Sequence, residues 1–297
     1  MGSFTRWTSG TGIAVAAGGM LVATCPAPSM ATTRLVRVPC SVTALNAAIT
    51  AADTSPGLIL RLAPRCVYDI QTPATAATGL PTITGDVTLL GGPGTTIRRA
   101  PAAAAFRVLD VAAGARLSLA GIAILNGSTS GLGGGIQNAG RLVLSRVTIA
   151  GNTAGSGGAI AGLAGSRTTV SRSALQQNAT TGVGGGGMLN SGTAVLYATA
   201  VRYNTAPVNG GGVNTQPNGA TQLIRTTVER NVSGGLGGGL SNLGNTTLSH
   251  TRVQFNRASA GGGIATGNAN VLISRSIVRA NIPDNCSPLN TIAGCVN

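Results

Sequence analysis

Residues 144–160 read LSRVTIAGNTAGSGGAI, and residues 170–188 read VSRSALQQNATTGVGGGGM. Both run aliphatic, Ser, Arg, two residues, aliphatic, two residues, Asn, and then open into glycine before another aliphatic residue. The pattern recurs along the chain. Asn152, Asn178, Asn204, Asn231, Asn256 and Asn281 follow one another in nearly equal steps. Asn126 lies one such step earlier and is a looser member. Three before each asparagine stand Ile149, Leu175, Val201, Val228, Val253 and Val278. Eight before stand Leu144, Val170, Leu196, Leu223, Leu248 and Ile273. Five before stand Val147, Ser173, Thr199, Thr226, Thr251 and Ser276, all small. Such self-similarity, with a period of roughly 25 residues, marks a repeat architecture.

Within a unit the apolar spacing is mostly two, with no sustained helical period, so the unit is a set of short strands. It lacks the Leu-x-x-Leu-x-Leu spacing of leucine-rich repeats and is too short for a propeller blade. The pattern therefore predicts an all-β parallel β-helix, in which successive coils stack about 4.8 Å apart. Aliphatic rows would fill the core. The asparagines would bond amide to amide from coil to coil; supplying a left-handed turn is the competing structural role. The glycines would serve tight corners. They do not form a phosphate loop, because no Lys-Ser/Thr follows and the cluster recurs six times.

Gly157-Gly158-Ala159-Ile160 is similar to the Gly-Gly-Ala-aliphatic motif of polymorphic outer-membrane protein repeats. The aliphatic-x-x-Asn rows resemble their second motif, with Ile, Leu or Val where phenylalanine is usual. More broadly, residues 80–282 resemble exported right-handed, single-stranded parallel β-helices of the pectate-lyase-like superfamily. The resemblance implies that fold and leaves activity open: lyases there use aspartates for calcium with a basic proton acceptor, and hydrolases use several aspartates. The matching coils carry no such cluster. No catalytic residue, metal site or cofactor is carried over.

The first residues read as an export signal, with Arg6 ahead of the apolar stretch Ile13–Ala23 and cleavage expected after Ala31. Residues 32–297 then hold four cysteines, an even number suited to disulfides outside the cell. Residues 32–79 form the expected N-terminal cap. Ser41 would cap a helix over residues 41–52 with Val42, Leu45 and Ile49 on one stripe, and Leu58–Leu62 would be the first strand. Residues 80–282 leave room for roughly eight coils, about 40 Å in length, and residues 283–297 form a C-terminal cap. Cysteines at opposite ends lie too far apart to bond, which leaves Cys40–Cys66 and Cys286–Cys295.

The chain has 297 residues, with twenty arginines, no lysine, six acids and one histidine. So few acids leave little material for paired-carboxylate chemistry. One basic row stands out. Six before each asparagine lie Arg146, Arg172, Ala198, Arg225, His250 and Arg275. Stacked about 5 Å apart, like charges repel by about 1 kcal/mol per pair in water, and an anion would relieve that. The bland reading is a solvated corner that confers solubility. Glu229 is expected to pair with Arg202 one coil away, and Asp69 and Asp86 could meet if their coils stack. Nucleic acid is not an expected partner, since the aromatic platform of single-strand binders is missing. The sequence thus points to an exported, monomeric, non-catalytic protein of the cell surface or extracellular space that binds acidic polysaccharide. The alternatives are a polysaccharide lyase or hydrolase, and a structural or adhesive stalk.

Overall fold

The computed structural model describes residues 34–55, 57–267 and 270–296. The expected export segment and its cleavage after Ala31 lie outside the described residues. The protein is a parallel β-solenoid of about ten coils with a single helix among the described residues. Three long sheets run along its axis. The first face has ten strands, from Arg34–Val38 to Val271–Ser274. The second has nine, from Val67–Ile70 to Ile277–Arg279, and the third has eight, from Leu109–Val111 to Cys286–Ser287. A short four-stranded sheet, Thr153–Ser156 to Val232–Ser233, joins the second face to the third.

Eight of the first-face strands fall within residues 80–282, and two more belong to the N-terminal segment. The cap is therefore part of the stack: Arg34–Val38 pairs with Leu58–Leu62, and that strand pairs with Asp86–Leu90. Between the first two strands the helix spans Val42–Thr54, ending two residues later than expected. The Ser41 hydroxyl accepts the Ala44 N–H at 3.4 Å, an N-cap that satisfies a helix-end donor. Leu45, Ile49 and Ala52 are buried in the core cluster. The helix so closes the apolar end that a solenoid must cover.

Strand pairing sets each sequence row side by side. Leu144, Val170, Leu196, Leu223, Leu248 and Ile273 are successive first-face partners. Ile149, Leu175, Val201, Val228, Val253 and Val278 are their second-face counterparts. Ile136, Ile160, Met188, Val213, Leu240 and Ile264 supply the third inward row. Three aliphatic rows converge on one axis, and this is where the hydrophobic stabilisation sits.

The asparagines form a continuous hydrogen-bonded row. Asn152, Asn178, Asn204, Asn231 and Asn256 each donate from Nδ2 to Oδ1 of the asparagine one coil on, at 2.9–3.0 Å. Each also gives its backbone N–H to that same oxygen, at 2.9–3.0 Å. Asn281 ends the row on Asn285 Oδ1, and Asn285 in turn donates to the Val296 carbonyl at 2.7 Å. Asn126 stands one position out of this row. Leu125 pairs with Ala150, so Gly127 faces Asn152 and donates to its Oδ1 at 2.8 Å. Asn126 instead fills the left-handed corner position, φ 61°, alongside Gly151, Gln177, Tyr203, Arg230, Phe255 and Ala280. Asparagine tolerates that conformation better than most residues.

Both disulfides are formed. Cys40–Cys66 fastens the approach to the helix to the start of the second face, and Cys286–Cys295 ties down the C-terminal segment. No helix among the described residues is long and apolar enough to cross a membrane.

Candidate functional site

Each coil turns from the first face to the second through one left-handed residue. From Gly121 the row reads Arg146, Arg172, Ala198, Arg225, His250 and Arg275, and its non-glycine members have φ of 46–52°. No β-branched residue occurs in it, since a branched Cβ clashes most in this conformation. At three of these turns the following residue anchors the corner. Val147 N–H donates to Ser173 Oγ, Thr226 N–H to Thr251 Oγ1 and Thr251 N–H to Ser276 Oγ, at 3.0–3.3 Å. Ser173 and Thr251 are buried and Ser276 is half-buried, and their hydroxyls hold the corner from beneath. The backbone N–H of each corner residue from Arg146 to His250 bonds the next coil's first-face strand. The corner is thus rigid, while its side chains are exposed.

The five basic residues of the expected site, Arg146, Arg172, Arg225, His250 and Arg275, therefore share one outer edge. Arg146 and Arg172 occupy adjacent coils. Ala198 interrupts the run, and Arg225 reaches back across it to the Tyr197 hydroxyl at 3.3 Å. His250 Nδ1 lies 3.0 Å from the neighbouring Ser249 hydroxyl. Toward the N-terminus the corner is concave. A cleft of about 640 Å³ lies between Arg61 and Arg146, and a shallower one of about 420 Å³ continues from Arg146 past Arg172 to Ala200. Outward Thr148 lines both, and no acid lines either.

A second basic row lies across the first face. Arg116, Arg141 and Arg167 are direct strand partners, with Asp86 as the neighbour of Arg116. Arg141 and Arg167 rim a concavity of about 400 Å³. The sequence reading passed over this row and Arg61. The signal was present, because Arg116 and Arg141 begin matching Arg-Leu-x-Leu segments one coil apart.

Five of the six acids, Asp86 being the exception, are held by partners close by. Asp53 accepts from the backbone of Thr84 and Gly85, at 2.7–3.0 Å. Asp69 receives Arg98 at 2.8 Å, and the contact raises the Arg98 pKa above its ordinary value. Asp110 accepts from Gln137 at 3.1 Å, and Asp284 from Gly262 N–H at 3.1 Å. Asp69 and Asp86 do not meet, because they belong to different faces. Glu229 and Arg202 are backbone neighbours, yet their side chains turn elsewhere. Arg202 donates to Gln176 at 3.0 Å, while Glu229 accepts from Gln254 at 3.3 Å and lies 4.0 Å from Arg230. Arg230 also sits between Tyr203 and Phe255, its guanidinium 5.7 Å from each ring centre, a cation–π stack internal to the second corner.

No family model, curated protein or solved structure matches the chain.

Proposed function

We propose that the chain is an exported, monomeric, non-catalytic β-helix that binds acidic polysaccharide along the corner between its first and second faces. The reading extends to a right-handed coil and a place beside the pectate-lyase-like solenoids, at the cell surface or outside it. One observation carries it: an exposed row of Arg146, Arg172, Arg225, His250 and Arg275 on a rigid corner, continuous with acid-free concavities. Charges fixed at the spacing of stacked strands suit a polymer with regularly repeated anionic groups. Guanidinium forks match planar anions in bidentate geometry. Five of the six acids sit in local backbone and side-chain contacts, and Asp86 stands alone on the first face, which favours binding over lyase or hydrolase chemistry.

The test is retention of residues 32–297 on immobilised acidic polysaccharide across a salt gradient. The triple variant Arg172→Ala, Arg225→Ala, Arg275→Ala should elute at clearly lower salt, because surface charge contacts are screened. Unchanged elution of the triple variant removes the corner from the interaction. Release of unsaturated or reducing sugars from the same polymers would turn the reading to catalysis.

A further inference from the structure

The corner changes character along its length. Where later coils place arginine, earlier ones place Gly91 and Gly121, and the cleft of about 640 Å³ opens there. The two glycines have different reasons to be small. A Cβ on Gly91 would overlap the Gly121 carbonyl, so that residue is fixed by backbone approach. A Cβ on Gly121 would sit 3.3 Å from the Gly91 oxygen, a contact that small adjustments relieve. Its φ of 65° is close to the 52° that Arg146 adopts one coil on. The fold therefore admits arginine at position 121, and glycine there leaves space.

Two cations bound that space. Arg61 pairs with Leu90, Leu90 with Ala120 and Ala120 with Ser145, which precedes Arg146. The backbones of Arg61 and Arg146 thus stand three coils apart, about 14 Å. Both side chains are exposed. Thr96 and Thr148 add hydroxyls on the second-face wall, and Ala120 and Ala123 keep the floor low.

Resting on the acidic-glycan reading above, we propose that this glycine-floored cleft is the anchoring subsite for a short anionic oligosaccharide. The sugar rings would lie over Gly91 and Gly121, with carboxylates or sulfates held by Arg61 at one end and Arg146 at the other. The polymer would then continue up the axis past Arg172. Charge attracts along the whole corner, and the cleft supplies shape.

Gly121→Arg separates the two contributions, because it adds a positive charge while filling the cleft. Gly165→Arg is the control matched in charge and in backbone strain, since Gly165 sits at a turn between the third face and the first with a left-handed φ of 78°, like the 65° of Gly121, and open space around its Cβ position. Calorimetric titration would use an oligogalacturonate and a sulfated oligosaccharide of defined length. We expect Gly121→Arg to weaken at least one of them tenfold or more, while Gly165→Arg leaves both unchanged or slightly tighter. Arg61→Ala, a change at an exposed side chain, should also weaken that ligand several-fold, whether or not Gly121→Arg folds. Affinity at or above wild type in either Gly121→Arg or Arg61→Ala, with the wild type binding, overturns the subsite and leaves the basic corner standing. No binding by the wild type overturns both.

Discussion

Asn204 donates from Nδ2 to Asn231 Oδ1 at 2.9 Å, and the same oxygen takes the Asn204 backbone N–H at 3.0 Å. Asn178 makes the same pair of bonds to Asn204 Oδ1. All three side chains are fully buried. Asn204→Ala would leave the Asn178 backbone N–H without its acceptor and would remove one bond each from Asn178 Nδ2, Asn231 Oδ1 and the Leu175 carbonyl, in a site where the side chains are fully buried. Each unsatisfied buried group costs about 1–3 kcal/mol, so a loss of about 3 kcal/mol or more is expected. Urea denaturation of wild type and variant checks it; a loss below about 1 kcal/mol would mean the row relaxes without penalty.

Gly186 is expected to be intolerant of any side chain. A Cβ there would lie 2.5 Å from both the Gly211 and the Thr205 carbonyl oxygens, which are backbone atoms of packed coils. Gly186→Ala should destabilise by about 2–3 kcal/mol through overpacking. Gly165→Ala meets no atom and bears only the cost of its left-handed φ of 78°, so it should cost less. Thermal melts of the pair give the comparison, and equal melting points would contradict it.

The Tyr68 hydroxyl is buried, accepts the Ala63 N–H at 3.0 Å and donates to the Val38 carbonyl at 3.1 Å. Burial pushes its pKa above the ordinary value of 10.0, with the Ala63 N–H pulling the other way. The folded state therefore favours the neutral phenol. Its contribution is fully present below the unfolded pKa and is lost as pH rises through the folded one. Stability should fall in the alkaline range above pH 10. Tyr68→Phe should remove that component while costing about 1–2 kcal/mol near neutrality. Denaturation midpoints against pH, for both proteins, decide it.

The two disulfides should differ in weight. Cys40 and Cys66 are 26 residues apart, and Cys286 and Cys295 are nine apart. Loop closure assigns them about 3.5 and about 2.6 kcal/mol. Replacing the first pair by serine also loosens the helix that covers the core end. The Cys40→Ser, Cys66→Ser variant should melt lower than Cys286→Ser, Cys295→Ser; the reverse order would show that the C-terminal closure matters more.

The architecture was legible because stacking makes a row in space out of a period in sequence. Val201 and Val228 are partners in the sheet for the same reason that they stand one period apart in the chain. What escaped the reading was whatever the period alone does not fix. Asn126 kept the spacing yet belongs to the left-handed corner, because one residue of slip exchanges a buried row for an exposed one. Asn138, Asn190 and Asn242 recur only in every second coil, so a search at the single-coil period passed over them. They are buried and bonded to Thr168, Thr221 and Thr246 at 2.9–3.0 Å, between the third face and the first. The corner arginines were visible as a row. The cleft was not, because it depends on Gly91 and Gly121 lying beside Arg61, and the irregular loops of the first coils hide that distance.

The amide row also has a direction. From Asn152 onward every link between asparagine side chains runs one way, each amide donating to the oxygen on its C-terminal side and accepting from the N-terminal side, until Asn285 stops the relay. A spine of this kind has a head and a tail that cannot be exchanged. Its length changes only in whole steps, so an inserted or deleted coil is tolerated when it restores one oxygen and one amide facing the right way, and half a coil is not.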